Sequence, residues 1–221
     1  MKNLKILRTQ KELGLSQCRS IGVQVANGEV IAFIDDDVCI HSSWFSEMMF
    51  WLKKLNAGAV TGVPELIPKS TARKYRQLLN RISLDLEELP KPVNCLHTGS
   101  CLIRTELVKD IQIPKWLQHR EDLYITEHIK AKGYECYIVP VKFKHYAGGT
   151  WESLYAENIA NLRMLGKLNA KKYLIKILGT WLVTAKIVAK LKEPQAILWN
   201  IPHMKAVIKG FNWRKYLYVK P

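Results

Sequence analysis

Acid is scarce in this chain. Against 34 lysines and arginines stand 19 aspartates and glutamates, a formal charge of +15 over 221 residues. That balance directs attention to anionic partners: a nucleotide, a nucleic acid or an anionic membrane surface. Cysteine is sparse too. Cys18, Cys39, Cys95, Cys101 and Cys136 are odd in number, contain no Cys-x-x-Cys pair and sit mostly inside apolar runs. This excludes a disulfide-stapled scaffold and a zinc ribbon, and predicts reduced thiols in a cytoplasmic compartment. No uniformly apolar run reaches the roughly 18 residues of a membrane span, and the apolar stretch in Met1-Lys-Asn-Leu-Lys-Ile-Leu is too short for a signal peptide. Internal repeats and low-complexity segments are also missing. What is there is an ordinary 48% of hydrophobic residues, enough to build the core of one large domain or two small ones.

With so little acid, its concentration at one point matters. Val30-Ile-Ala-Phe-Ile-Asp35-Asp36-Asp37 is a short apolar run, rich in β-branched residues, that ends in three carboxylates. It predicts a buried core strand of an α/β sheet delivering acid to its own end, and ligand sites in such sheets lie just beyond the carboxyl ends of strands. Three adjacent carboxylates repel one another unless a cation sits among them. Hard oxygen ligands suit Mg2+ or Mn2+, which take their remaining ligands from water and substrate phosphates. A solvated acidic turn is the plain alternative.

The flanking segments alternate. Leu4 to Arg8 predicts a strand, and Ser16 to Asn27 a helix with Cys18, Ile21 and Val25 on one face and Gly28 as its stop. After the acidic strand, Ser42 or Ser43 caps a helix with Glu47 in its first turn, running through Met48, Leu52 and Leu55 to Gly58; Ala59 to Val63 is strand-like. Strand, helix, strand, helix, strand is the alternation of a mostly parallel sheet in a three-layer α/β sandwich. Pro64 and Pro68 break it, and Thr71 to Glu88 reads as an inserted helix, basic then acidic, before Pro90 and Pro92. A turn at Leu96 feeds an apolar run to Arg104. Glu121-Asp122 opens a helix with Ile125 and Ile129 on one face and Gly133 beyond it, and Tyr137 to Val139 is a strand. The pair Gly148-Gly149 predicts a mobile loop before a helix from Ser153 to about Lys167.

Beyond Asn169 the composition turns to alternating basic and apolar residues, so the expected organisation is an α/β domain over 1–168 and a basic helical region over 169–221. On a helical wheel of about 100° per residue, Lys176, Thr180, Thr184, Lys186 and Lys190 crowd one side, interrupted by Val183 and Ile187. Leu174, Leu178, Trp181, Ala185 and Val188 crowd the other. Such a helix suits an anionic membrane interface; equally, it can pack its apolar side on the domain.

Four ordered motifs carry a resemblance. Gly14-Leu-Ser-Gln-Cys-Arg19-Ser20-Ile-Gly22 with the turn Asn27-Gly28-Glu29, the triplet Asp35-Asp36-Asp37, the small-residue segment Thr98-Gly99-Ser100, and the acidic pair Glu121-Asp122 together resemble family 2 glycosyltransferases, nucleotide-sugar-dependent enzymes of the GT-A fold, from Leu4 to Lys167. The resemblance implies that the triplet is the Asp-x-Asp signature for a divalent ion, Mn2+ or Mg2+, and the nucleotide diphosphate. Asp37 would contact the metal, and Asp35 the ribose or a metal-bound water. Asp36, Gly99 and Arg19 would serve the nucleotide sugar, with Arg19 near the diphosphate. His145 stands where many relatives carry a histidine near the metal. Transfer to an acceptor hydroxyl, with inversion, needs a general base opposite the leaving group; Asp122 is the first candidate and Glu121 the second, the alternative being a helix cap with a first-turn acid.

The acceptor implied is a glycan or a lipid-linked molecule; the expected location, from the reduced cysteines and the basic helix, is the cytoplasm, with the cytoplasmic face of a membrane as the peripheral alternative. Relatives begin with a strand and loop and a second strand ending in acid that hold the donor's base and ribose; the resemblance carries the expectation that this chain starts after both. A partner chain supplying those strands, or a catalytically incomplete accessory module that keeps the fold and binds a partner or membrane, is therefore the second expectation. Nucleic acid is not an expected partner: no recognised motif occurs, and a strand ending in three acids repels phosphates unless a metal intervenes.

Overall fold

The computed structural model describes residues 6–9, 13–67, 74–75, 77–79, 88–117, 119–146 and 151–211. Its strands are β1 (Val30–Ile34), β2 (Val38–Cys39), β3 (Ala59–Leu66), β4 (Lys91–Pro92), β5 (Ser100–Arg104) and β6 (Cys136–His145). They form one sheet in the order β1-β5-β3-β6-β2, with β4 also on β6. The helices are α1 (Leu15–Val25), α2 (Trp44–Lys54), α3 (Glu121–Ala131), α4 (Trp151–Met164), α5 (Ala170–Leu191) and α6 (Ala196–Phe211).

Strand periodicity sorts the core into two sides. Cys101 and Ile103 of β5 join Val23 of α1 and Ile125 and Ile129 of α3, while Leu102 between them joins Trp44, Met48 and Leu52 of α2. The sheet is thus covered on both faces, as a three-layer sandwich requires. The α2 residues recur every fourth position, and Glu47 in the first turn with Lys53 and Lys54 in the last complements the helix dipole. Each of these fully buried side chains stabilises the fold by about 1.5–3 kcal/mol relative to exposure.

Two expectations about the sheet are corrected. It is mostly antiparallel: β3 and β6 pair in parallel, but β1 with β5, β3 with β5, β2 with β6 and β4 with β6 are antiparallel. Since β1 and β3 both run opposite to β5, they share a direction, as their helical crossover demands, yet β5 lies between them. Alternation along the chain reports direction and not adjacency. The acidic strand is also not central among the described residues. β1 occupies the sheet edge and leaves Ile34 44% exposed; a short β-branched run looks the same with one strand beside it or two.

Residues 6–9 carry no strand, and residues 1–5 lie outside the described residues. So do Gly148-Gly149 and most of the expected Thr71–Glu88 helix, of which 74–75 and 77–79 are helical.

Of the two readings of α5, the one that packs its apolar side on the domain is corrected. Thr184 and Ile187 are buried, the Tyr75 hydroxyl lies 2.7 Å from Thr184 Oγ1, and Leu174, Leu178 and Trp181 face solvent. The inward threonines donate to the backbone four residues earlier, Thr180 to Lys176 O at 2.7 Å and Thr184 to Thr180 O at 2.8 Å. The Thr184 hydroxyl, bonded within its own helix and to Tyr75, is satisfied without water and can be buried.

Candidate active site

The triplet leaves β1 in a tight turn. Val38 N donates to Asp35 O at 3.1 Å, Asp35 N to Gly99 O at 3.0 Å, and Tyr146 N to Asp37 O at 2.8 Å. Backbone bonds therefore pin the acidic turn against the loop before β5 and the end of β6. Asp35 and Asp37 are half-buried and Asp36 is exposed.

The two half-buried carboxylates have different partners. Asp37 Oδ1 lies 3.3 Å from His145 Nε2. Asp35 Oδ1 accepts from Arg19 Nη2 of α1 at 2.9 Å, and Arg19 Nη1 also donates to Glu121 Oε1. Arg19 is only 7% exposed and Glu121 4%. One buried guanidinium thus joins the acidic turn to the acidic pair, although 102 positions separate Arg19 from Glu121. Its planar fork allows two carboxylates to be served at once. Thr98 Oγ1 adds a long contact of 3.5 Å to the same Glu121 oxygen.

Asp122 differs from its neighbour. It is half-buried, and its Oδ1 accepts from Leu123 N at 2.7 Å. Thr126 Oγ1 donates to Asp122 O at 2.6 Å and accepts from Leu96 N at 3.0 Å, fixing the start of α3 to the loop before β5. Arg120, immediately before the pair, holds a left-handed φ of 71°, a conformation that costs a non-glycine residue about 1–3 kcal/mol. Burial, and then the Asp122 carboxylate beside it, push the Cys95 thiol far above its usual range, so Asp122 has a neutral thiol as neighbour and not a thiolate.

Gly99 is placed against the triplet. A Cβ there would stand 2.7 Å from Asp35 Oδ2 and 2.9 Å from His97 Cε1, so the glycine lets the loop approach the carboxylate. Gly99→Ala should dislodge Asp35 at an overpacking cost of about 1–3 kcal/mol, read as a lowered melting temperature; unchanged melting would show that the loop yields freely. His97 itself is a residue that the motifs missed. Its ring lies 5.3 Å from His145 and 5.4 Å from Phe143, and its carbonyl accepts from Thr61 Oγ1 at 3.1 Å. Its position directly before Thr98-Gly99-Ser100 was the available signal.

Asp37 and His145 can hold a cation. Among the described residues no group of three or more His, Cys, Asp or Glu is placed as a metal cage, but two protein donors with the rest from substrate phosphates is the usual arrangement for this class of ion. His145 Nδ1 is buried without a hydrogen-bond partner, leaving Nε2, on the Asp37 side, as the nitrogen for a cation. A ring nitrogen in the set favours Mn2+ over Mg2+.

Sheet, layers and acidic turn together define the GT-A class of α/β fold. The chain superposes with a TM-score of 0.63 on PcManGT, a mannosyltransferase from Pyrobaculum calidifontis solved with GDP-Man and Mn2+; the two are 16% identical, and the match covers 98% of this chain and 70% of that one. TarS residues 1–349 from S. aureus, solved with UDP-GlcNAc, gives 0.50 at 14% identity, covering 97% and 74%. The chain belongs to glycosyl transferase family 2, whose family model matches residues 1–112. Among curated proteins it is similar to the glycosyltransferase AglE of Haloferax volcanii, 24% identical over 136 residues. That match takes in 60% of this chain and 44% of AglE, so the chain spans less than half the length of that relative.

Proposed function

We propose that the chain moves a sugar, with inversion, from a nucleoside-diphosphate sugar to the hydroxyl of a glycan or lipid-linked acceptor. The observation that carries this reading is the Arg19 bridge, which sets Asp35 of the acidic turn and Glu121 of the acidic pair around one buried guanidinium. Asp37 and His145 would hold a divalent ion, Asp35 and Asp36 the nucleotide sugar, with Gly99 giving them room. The ion, when bound, supplies positive charge against the departing diphosphate without any proton transfer. Asp122 takes the proton from the attacking hydroxyl, a contribution of about 10²–10⁴-fold. Glu121 is the lesser candidate because Arg19 already claims its carboxylate. Arg19, nearly buried and doubly paired, serves the donor through Asp35.

Calorimetry with GDP and UDP, with Mn2+ and in a chelator, tests the donor side. Nucleotide binding should disappear in chelator and in Asp37→Ala, and weaken in Asp35→Ala. Equal affinity with and without metal would remove the ion from the site.

A further inference from the structure

The outward faces of α5 and α6 are apolar and have no partner within the described fold. On α5, Leu174, Ile175, Leu178, Trp181 and Leu182 are between 44% and 67% exposed, and on α6 Ile197, Leu198, Ile201 and Ile208 between 44% and 65%. At helical spacing each set falls on a single stripe. The opposite faces are spent on packing within the fold: Tyr173 and Ile177 pack with Ala206, Val207 and Ile159 of α4, and Val183 and Ile187 with Ala196, Trp199, Tyr75 and Leu78. Rotation about either helix axis therefore cannot bury the outer stripes. Soluble monomers expose at most about 300–600 Å² in their largest apolar patch, and such patches mark interaction surfaces.

Charge selects the occupant. From Ala170 to Phe211 the chain carries eight lysines and one acid, Glu193, which lies in the connection and on neither helix. Lys171, Lys186 and Lys190 on α5 and Lys205 and Lys209 on α6 are exposed beside the stripes. A second copy would set lysine against lysine with no acid to pair, which disfavours self-association. A surface with anionic headgroups above and acyl chains below matches both features, with lysine stems reaching past the apolar stripe to the headgroups and Trp181 at the boundary. No helix among the described residues is long and apolar enough to cross a membrane. We infer that the α5–α6 hairpin docks edge-on to an anionic lipid surface, its apolar stripes at the headgroup boundary and its lysines among the headgroups.

Flotation of the intact chain with phosphatidylcholine vesicles, with and without phosphatidylglycerol, tests this without donor or acceptor. Binding to the anionic vesicles should be tighter than to neutral ones by about ten-fold or more, and the tryptophan emission should shift to the blue. Leu178→Glu with Leu182→Glu, both on the exposed stripe, should cost about ten-fold in vesicle binding while nucleotide binding measured without vesicles stays at the level of the unaltered chain. Lys186→Glu with Lys190→Glu should weaken binding to anionic vesicles only. Equal binding to both vesicle types, no binding to either, or undiminished binding by the leucine variant overturns the inference. So does a dimer in sedimentation that the leucine variant dissolves, since the stripe would then belong to a second copy. Because vesicle and nucleotide binding are read separately, either can fail alone.

Discussion

Asp122→Asn should leave nucleoside-diphosphate binding nearly unchanged and remove transfer by about 10²–10⁴-fold, the usual worth of a positioned general base. The amide is almost the same size and still accepts from Leu123 N through its oxygen, so the start of α3 should keep its geometry; only the capacity to take a proton is gone. Glu121→Gln is the control that separates chemistry from architecture. It weakens the ion pair with Arg19 and should therefore lower the melting temperature, a change Asp122→Asn should not produce. Steady-state transfer, nucleotide calorimetry and thermal melts on both variants decide the assignment. Near-normal transfer by Asp122→Asn with loss in Glu121→Gln at an unchanged melting temperature would swap the roles, and activity in both would reduce the pair to a helix start.

Arg19→Met should be the most destabilising single change at the site. It removes the cation that faces two carboxylates and leaves Glu121, 4% exposed, buried without its partner; breaking a buried pair in this way typically costs about 3–5 kcal/mol. Asp35 suffers less, since its side chain is 35% exposed and reaches water. Urea denaturation measures the loss. Arg19→Met combined with Glu121→Leu should regain much of it, because no uncompensated charge is then buried. Arg19→Lys should recover only part, a single ammonium being unable to span both carboxylates as a fork does. An Arg19→Met midpoint equal to the unaltered chain's would show that the bridge does not organise the site.

How much of this could be read in advance depended on whether a signal was local. The acidic turn at the end of Val30–Ile34 and the acidic pair opening a helix were legible because each is a change of composition within a few residues. The same holds for the α2 stripe of Trp44, Met48 and Leu52. Strand neighbours were not legible: β5 enters between β1 and β3 from far along the chain, and nothing within the first 65 residues announces it. Arg19 was legible as a cation near a glycine turn, but its partners were expected to be phosphates, and the carboxylates that claim it come from positions 35 and 121. For α5 the hydrophobic wheel located the stripe and left its direction open; Thr180 and Thr184 satisfy their hydroxyls within the helix, which lets the threonine side turn inward and the apolar stripe outward.

The place of β5 also governs the order in which the molecule can be made. Val30 to Ile34 find their pairing partners at Ser100 to Arg104, and the acidic turn meets its histidine only at the end of β6. On a ribosome the emerging β1 must wait for some seventy further residues before its ladder can close, and for His145 before Asp37 is answered. Contacts of such long sequence separation slow folding, and they leave an apolar strand edge open to other chains meanwhile. The acidic turn is therefore among the last parts of the domain to be completed, and the nascent chain should depend on holdase chaperones until β5 and β6 have emerged.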